Sequence, residues 1–285
     1  MLKFFGCQMH CGVGEKGLTK SIDYLKDQYD HFDLTLLPEI LKKDEKEIPG
    51  LKRLNSVITT CSSIADYSFH HILKEGNIPV FIGGDHAAAM GTVSASSTYY
   101  GETGLIWIDA HPDINTNDTS ASGNIHGMPV AALIGEGYDP LTKIFTDDKK
   151  IKKENVVLFG LRDIDPPEQE TLNRLNIKYF TYKDITEKGL PLCLDEAIQY
   201  LSHLDHIHLS FDIDSVNPQI LPGVSVPVED GFTLSEIYTV FERYLKELPI
   251  GAIDIMEFNS VYDKDNKTAE FVIHLLDFIK SHYEK

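Results

Sequence analysis

The chain has 285 residues, 42% of them hydrophobic and 25% charged, which excludes a disordered tail and leaves room for one large core or two small ones. Its 44 Asp plus Glu against 26 Lys plus Arg give a formal net charge of −18, so nucleic acid and anionic membrane surfaces are poor partners, whereas cationic small molecules and divalent metals are attracted. No apolar run approaches the roughly 18 residues of a membrane span, and the opening stretch MLKFFGCQMHCGVGEK lacks the apolar h-region of a signal peptide, so the expectation is a soluble, cytoplasmic protein.

In chain order, short apolar runs predict strands and longer amphipathic stretches predict helices: strand 2–5, helix 19–27, strand 34–37, helix 51–75, strand 78–82, helix 87–99 and strand 105–108. After a long polar interval come strand 156–159, helix 167–175, strand 178–181, helix 192–201, strand 207–211, helix 233–248, strand 252–256 and helix 267–280. Thr233 with Glu236 forms a capping box that supports the start of the penultimate helix. Runs apolar on both faces, joined by helices, imply an α/β fold: a three-layer αβα arrangement with a mostly parallel central sheet.

The remaining polar signals read as packing or solvent. The charge clusters 42–47 and 147–154 are short and mixed in sign, as in solvated loops. Cys7, Cys11, Cys61 and Cys193 are too scattered for a disulfide framework. Cys7, His10 and Cys11 carry zinc-type donors, but no second pair of matching spacing follows, so buried thiols are expected. His70, His71, His203, His206 and His208 are assigned to packing, and Phe271, His274, Leu275 and Phe278 to the core-facing stripe of the last helix.

Three of the predicted strands run directly into acidic and imidazole groups. Strand 78–82 ends in Gly83, Gly84, Asp85 and His86; strand 105–108 in Asp109, Ala110, His111, Pro112 and Asp113; strand 207–211 in Asp212, Ile213 and Asp214. In open parallel α/β sheets, the carboxyl ends of strands are where sites assemble. Alternate residues of extended backbone point one way, so Asp109, His111 and Asp113 can share a centre, as can Asp212 and Asp214. Massed carboxylates without a cation would repel one another or stay protonated. His86, Asp109, His111, Asp113, Asp212 and Asp214 are too many and too oxygen-rich for one tetrahedral zinc; two octahedral ions, Mn²⁺ first and Co²⁺ or Fe²⁺ after it, suit them better. Asp85 is expected to orient His86. Because the motifs span His86 to Asp214 and must share a centre, a single domain over residues 1–285 is expected.

These residues carry a resemblance. GGDH (83–86), DAHPD (109–113) and SFDID (210–214) resemble the three binuclear manganese motifs of the ureohydrolase family, in the family's order. INTNDTSASGNIHGMPVA (114–131), GLRDIDPPE (160–168) and DIMEFN (254–259) are similar to segments of the arginases within it. The resemblance implies two Mn²⁺ per chain and hydrolysis of L-arginine to L-ornithine and urea by a metal-bridging hydroxide. It implies that Glu257 faces the guanidinium, that His126 shuttles protons, and that Asp113 belongs to the catalytic set as well as to the ligands. It further implies that Asn115, Ser122 and Asn124 take the substrate carboxylate, that Asp165 with Glu168 takes the amino group, and that the protein is a homo-oligomer, a trimer or hexamer.

The chain departs from the arginase pattern at several points. Asn217-Pro218 stands for Asp-Pro, GVSVP (223–227) places Val226 where the family carries a threonine hydroxyl near the guanidinium, Phe258-Asn259-Ser260 replaces an Asn-Pro ending, and GVGEKGL lacks a Gly-Pro. Formiminoglutamase is the nearest rival reading, opposed by the asparagine-serine-asparagine loop. A catalytically inactive regulatory subunit is the rival of another class, opposed by the intact ligand set.

Overall fold

All eight predicted apolar runs are strands of one sheet: β1 (Leu2–Gln8), β2 (Leu34–Pro38), β3 (Ile78–Ile82), β4 (Gly104–Ile108), β5 (Val156–Leu161), β6 (Lys178–Thr181), β7 (Ile207–Asp212) and β8 (Ile250–Met256). The computed structural model describes residues 1–28, 33–44, 46 and 48–284; of the 42–47 charge cluster, Glu45 and Glu47 lie outside the described residues. The order across the sheet is β2-β1-β3-β8-β7-β4-β5-β6, and every neighbouring pair is parallel. The fold is therefore αβα with an entirely parallel sheet. β4, β5, β7 and β8 are buried at every residue, whereas the edge strands β2 and β6 are half-exposed; β4 and β5 accordingly read as unbroken apolar runs, while β7 and β8 bury His208, Ser210, Asp212 and Asp254.

Helices α1 (Gly17–Gln28), α2 (Leu54–His71), α3 (Ala89–Tyr100), α4 (Pro129–Leu133), α5 (Asp139–Thr142), α6 (Pro166–Leu175), α7 (Tyr182–Lys188), α8 (Leu190–Leu201), α9 (Leu234–Glu247) and α10 (Lys267–Tyr283) cover both faces. Val80, Ile82, Leu209, Phe211, Ile253 and Ile255 pack in one core with residues of α1, α8, α9 and α10. The alternate residues Phe81 and Trp107 face α2 and α3 in cores on the other side. This is the period-two alternation of a sheet buried twice. Among the described residues, no helix is long and apolar enough to cross a membrane.

Several expectations change. Short α4, α5 and α7 had no sequence prediction, because pieces of four to seven residues carry too little periodicity. The predicted helix 51–75 starts later, as α2, because Arg53 takes a left-handed backbone (φ 56°), and it breaks before a separate 3₁₀ turn, Leu73–Glu75. In α10 the buried face is Phe271, Val272, Leu275, Leu276 and Ile279, while His274 points to solvent. The capping box at Thr233 and Glu236 forms as predicted.

Candidate metal and substrate site

β3, β8, β7 and β4 are neighbours, so their carboxyl ends form one continuous edge. Pairing of Ile108 with Phe211 leaves Asp109 and Asp212 as the next residues of adjacent strands. β3 delivers His86 through a tight turn in which Gly83 and Gly84 take φ of 77° and 80°. A Cβ on Gly83 would lie 2.1 Å from Ile22 Cδ1, so a larger residue there fits neither the backbone nor the space.

Two groups of donors converge. His86, Asp109 and Asp212 form one, with His86 Nδ1 3.0 Å from both Asp109 Oδ2 and Asp212 Oδ2. Asp109, His111 and Asp214 form the other, with His111 Nδ1 3.0 Å from Asp214 Oδ2 and 3.5 Å from Asp109 Oδ1. Asp109 belongs to both. Asp113 lies outside these two groups, with its Oδ2 3.5 Å from His86 Nδ1, on a left-handed backbone (φ 49°).

Charge is congested here. Burial and then the neighbouring Asp109 push Asp113 well above the carboxylate range, and burial and then Asp214 do the same to Asp212. Asp214 is raised by burial and Asp109. Burial opposes ionisation of Asp109 as well, but the His111 and His86 imidazoles beside it outweigh that and hold Asp109 low. The protein alone stabilises one carboxylate and forces protons onto others, a conflict that divalent cations would resolve.

The tautomer of His86 follows from its neighbours. Ser210 Oγ donates to Asp254 Oδ2 (3.2 Å), so its single proton is committed and it accepts from His86 Nε2 at 2.9 Å. His86 Nδ1 is then a lone pair, buried, without a hydrogen-bond partner, and aimed between carboxylates. An imidazole nitrogen in that state suits a metal ion. Trp107 completes the setting: its ring stacks on His86 with centroids 3.7 Å apart, and its Nε1 donates to Asp109 Oδ2 at 2.9 Å. These residues answer the test for a metal: orphaned nitrogen, paired carboxylates and fixed orientation.

Asp85 does not orient His86. Its carboxylate accepts from Ala87 N (3.1 Å) and Gly12 N (2.7 Å), capping the turn that carries His86, while Ser210 aligns the ring. Cys7, Cys11 and Cys61 are buried free thiols, and His10 pairs with Glu39 at 2.6 Å, so those zinc-type donors do not gather.

Beside the carboxylates opens a cavity of about 320 Å³ whose lining includes His111, Asp113, Asn115, Ser122, Asn124, His126, Asp165, Glu168, Asp212, Asp214, Val13, Val226 and Glu257. All the predicted substrate and catalytic residues therefore border one space. Glu257 follows β8 with φ 65°, and its Oε1 accepts from His86 N at 3.0 Å and lies 3.2 Å from His126 Nδ1. Its Oε2 is buried without a partner. A carboxylate oxygen held this way is a receptor for a cation. Burial lowers the His126 pKa, but the hydrogen bond and charge of Glu257 more than offset this and the net shift is upward.

The polar loops are tied to one another. Asn115 Nδ2 reaches Asp165 Oδ2 at 3.4 Å, and Ser122 Oγ accepts from Asn124 N at 3.2 Å. Both oxygens of Glu168 are engaged by backbone, Oε1 with Ile114 N (3.2 Å) and Oε2 with Asp165 N (3.1 Å), and burial raises its pKa to about 7. Glu168 thus joins the loop after β4 to the start of α6 as well as facing the cavity.

Sequence reasoning missed Trp107, Ser210, Asp254 and Arg162, while His208 is buried in the packing role expected of it. His208, Ser210 and Asp212 alternate on β7, and Asp254 is a carboxylate inside a buried strand; polar residues at such positions were the available signal. Arg162 donates to the carbonyls of Asp214 (2.6 Å), Ser215 (3.0 Å), Val228 (3.1 Å) and Glu229 (3.1 Å), fixing the Asp214 loop from behind. Gly231 is needed for this clamp, since a Cβ there would lie 2.8 Å from Arg162 Cζ.

Comparison with known proteins agrees with this geometry. The model of the arginase family matches residues 19–279. An arginase of Bacillus subtilis is 36% identical over 245 residues, covering 86% of this chain and 81% of its own. The crystal structure of an arginase from Bacillus cereus superimposes with a TM-score of 0.88 at 34% identity, covering 98% of this chain and 97% of that one. An Entamoeba histolytica arginase in complex with L-ornithine gives a TM-score of 0.87 at 27% identity over 98% of this chain and 97% of that one.

Proposed function

The chain belongs to the arginase family, and we propose that within it this hydrolase cleaves the guanidinium of L-arginine to L-ornithine and urea, using two Mn²⁺ ions. The observation that carries the reading is the buried, unpartnered Oε2 of Glu257 on the wall of a cavity that also borders the congested carboxylates. Arginine's guanidinium stays protonated, and it meets an acceptor already stripped of water.

His86, Asp109, His111, Asp113, Asp212 and Asp214 would hold the ions. When bound, such a pair supplies water activated at neutral pH and polarisation of the reacting group. The chain's own residues do the rest. Glu257 positions the guanidinium and keeps His126 protonated, and His126 delivers that proton to the departing amine of ornithine. Asn115, Ser122 and Asn124 supply donors for the α-carboxylate, while Asp165 and Glu168 face the α-ammonium. Val13 and Val226 offer apolar walls for the methylenes.

The deciding experiment is urea release from arginine, agmatine, guanidinobutyrate and formiminoglutamate by chelated protein reloaded separately with Mn²⁺, Co²⁺ and Fe²⁺. Turnover of arginine above the others with Mn²⁺ is expected; its absence with every metal sinks the assignment. We also propose a homo-oligomer, a trimer or hexamer, which light scattering tests, and a cytoplasmic location.

A further inference from the structure

Resting on that reading of the cavity, we infer that Arg53 is a positioning residue that fixes which end of the Asn124 amide meets the substrate, and so sets the preference for an amino acid over its decarboxylated analogue. Arg53 Nη2 donates to Asn124 Oδ1 at 2.9 Å. Its Nε donates to the Cys11 carbonyl at 2.6 Å, and Nη2 also reaches the Gly12 carbonyl at 3.3 Å. The guanidinium therefore bridges the loop after β1 and the loop that carries Asn124 and His126, and the same Gly12 carbonyl accepts from His126 N at 3.4 Å.

An asparagine side chain presents two donors at one end and an acceptor at the other, and the two ends have nearly the same shape. With Oδ1 committed to Arg53, the Nδ2 end of Asn124 is the one left for a ligand on the cavity wall, and among the described residues it has no recorded partner. Flipped, the amide would turn its oxygen toward a carboxylate and repel it. The backbone marks the same constraint. Arg53 holds a left-handed conformation (φ 56°, ψ 31°) at the start of α2, uncommon for a residue with a long side chain, and its side chain is fixed at three points. Gly14 has φ 97°, and a Cβ there would lie 3.2 Å from Arg53 Cζ, so the chain leaves space for this guanidinium.

Calorimetric binding of L-ornithine and of putrescine to the Mn²⁺-loaded protein tests this, because the two ligands differ only in the carboxylate. In Arg53→Ala, ornithine binding should weaken about tenfold while putrescine binding and metal content stay constant. KM for arginine should rise by a similar factor with kcat within about twofold. In the Asn124→Ala background, Arg53→Ala should add nothing further. Arg53→Lys, which keeps a charge but not the planar fork, should show the same selective loss in smaller measure, and it carries the test if the alanine variant does not fold. Equal loss of both ligands, or additive effects in the double variant, would overturn the inference, as would a wild type that binds ornithine no better than putrescine. Absence of arginine turnover in the wild type would instead refute the proposed reaction, since binding selectivity is read separately.

Discussion

The proposed metal half and the proposed substrate half of the cavity are built by different means. His86, Asp109, Asp212 and Asp214 sit at or just past the ends of adjacent buried strands, each at most 4% exposed. Asn115, Ser122, Asn124 and Asp165 lie on irregular segments after β4 and β5, held by one another and by Arg53. The proposed ligands, which must agree within tenths of an ångström, thus stand on rigid scaffold, while the groups proposed to choose among substrates stand on loops. Damage to the first half should therefore abolish the reaction, and damage to the second should redirect it.

The largest effect is expected at the shared ligand. Asp109→Ala, or Asp212→Ala, should remove bound metal on elemental analysis and reduce urea release by more than about a hundredfold, beyond the usual effect of residues that only support a ligand. Full activity in either variant would break the distinction at once. Glu257→Gln keeps shape and removes charge; metal content should persist while kcat/KM for arginine falls by roughly a hundredfold or more, because a guanidinium would enter a desolvated site without its counter-charge. Next comes the cation's contribution to folding. Adding Mn²⁺ to chelated protein should raise Tm by several degrees in a concentration-dependent way, as binding to the native state alone demands, and an unchanged Tm would contradict the metal assignment.

A milder effect belongs to the loops. Glu168 has its pKa raised by burial to about 7, so it is protonated below that value and charged above it. As pH falls through about 7, it loses an acceptor for the Ile114 or Asp165 amide and the negative charge facing an α-ammonium. KM for arginine should therefore rise toward acid pH, and Glu168→Gln should flatten that dependence in KM–pH profiles. The smallest change is expected from Val226→Thr. Ser225 Oγ is turned to Asn259 Nδ2, from which it accepts at 3.0 Å, and Val226 is the one that lines the cavity. Restoring the hydroxyl should raise kcat/KM for arginine a few-fold, about the value of one hydrogen bond.

The same contrast decides what was legible in the sequence. The strand-end acids and imidazoles announce themselves because DAHPD and DID crowd them directly after apolar runs, although bends and a 3₁₀ turn, not continued extended backbone, bring them together. The sheet was legible because strands buried on both faces, β4 and β5 above all, read as short, mainly apolar runs. Glu257 and His126 have no such spacing, and only resemblance to a family drew them in. Arg53, Ser210 and Arg162 were invisible because each acts through a partner far away in the chain, as Ser210 does on His86 across 124 positions. The helix start shifted for a related reason, since the left-handed turn at Arg53 is supported by distant carbonyls, not by local propensity.

β8 follows β3 and β7 in the chain yet lies between them in the sheet. The pairings of β8 alone join the sub-sheet β2-β1-β3 to the sub-sheet β7-β4-β5-β6. His86 belongs to one and Asp109, Asp212 and Asp214 to the other. The two halves of the centre are therefore held in register through β8, a non-local pairing of the kind that slows the folding of parallel sheets. Removing that strand would leave two bare inner edges and part His86 from the carboxylates.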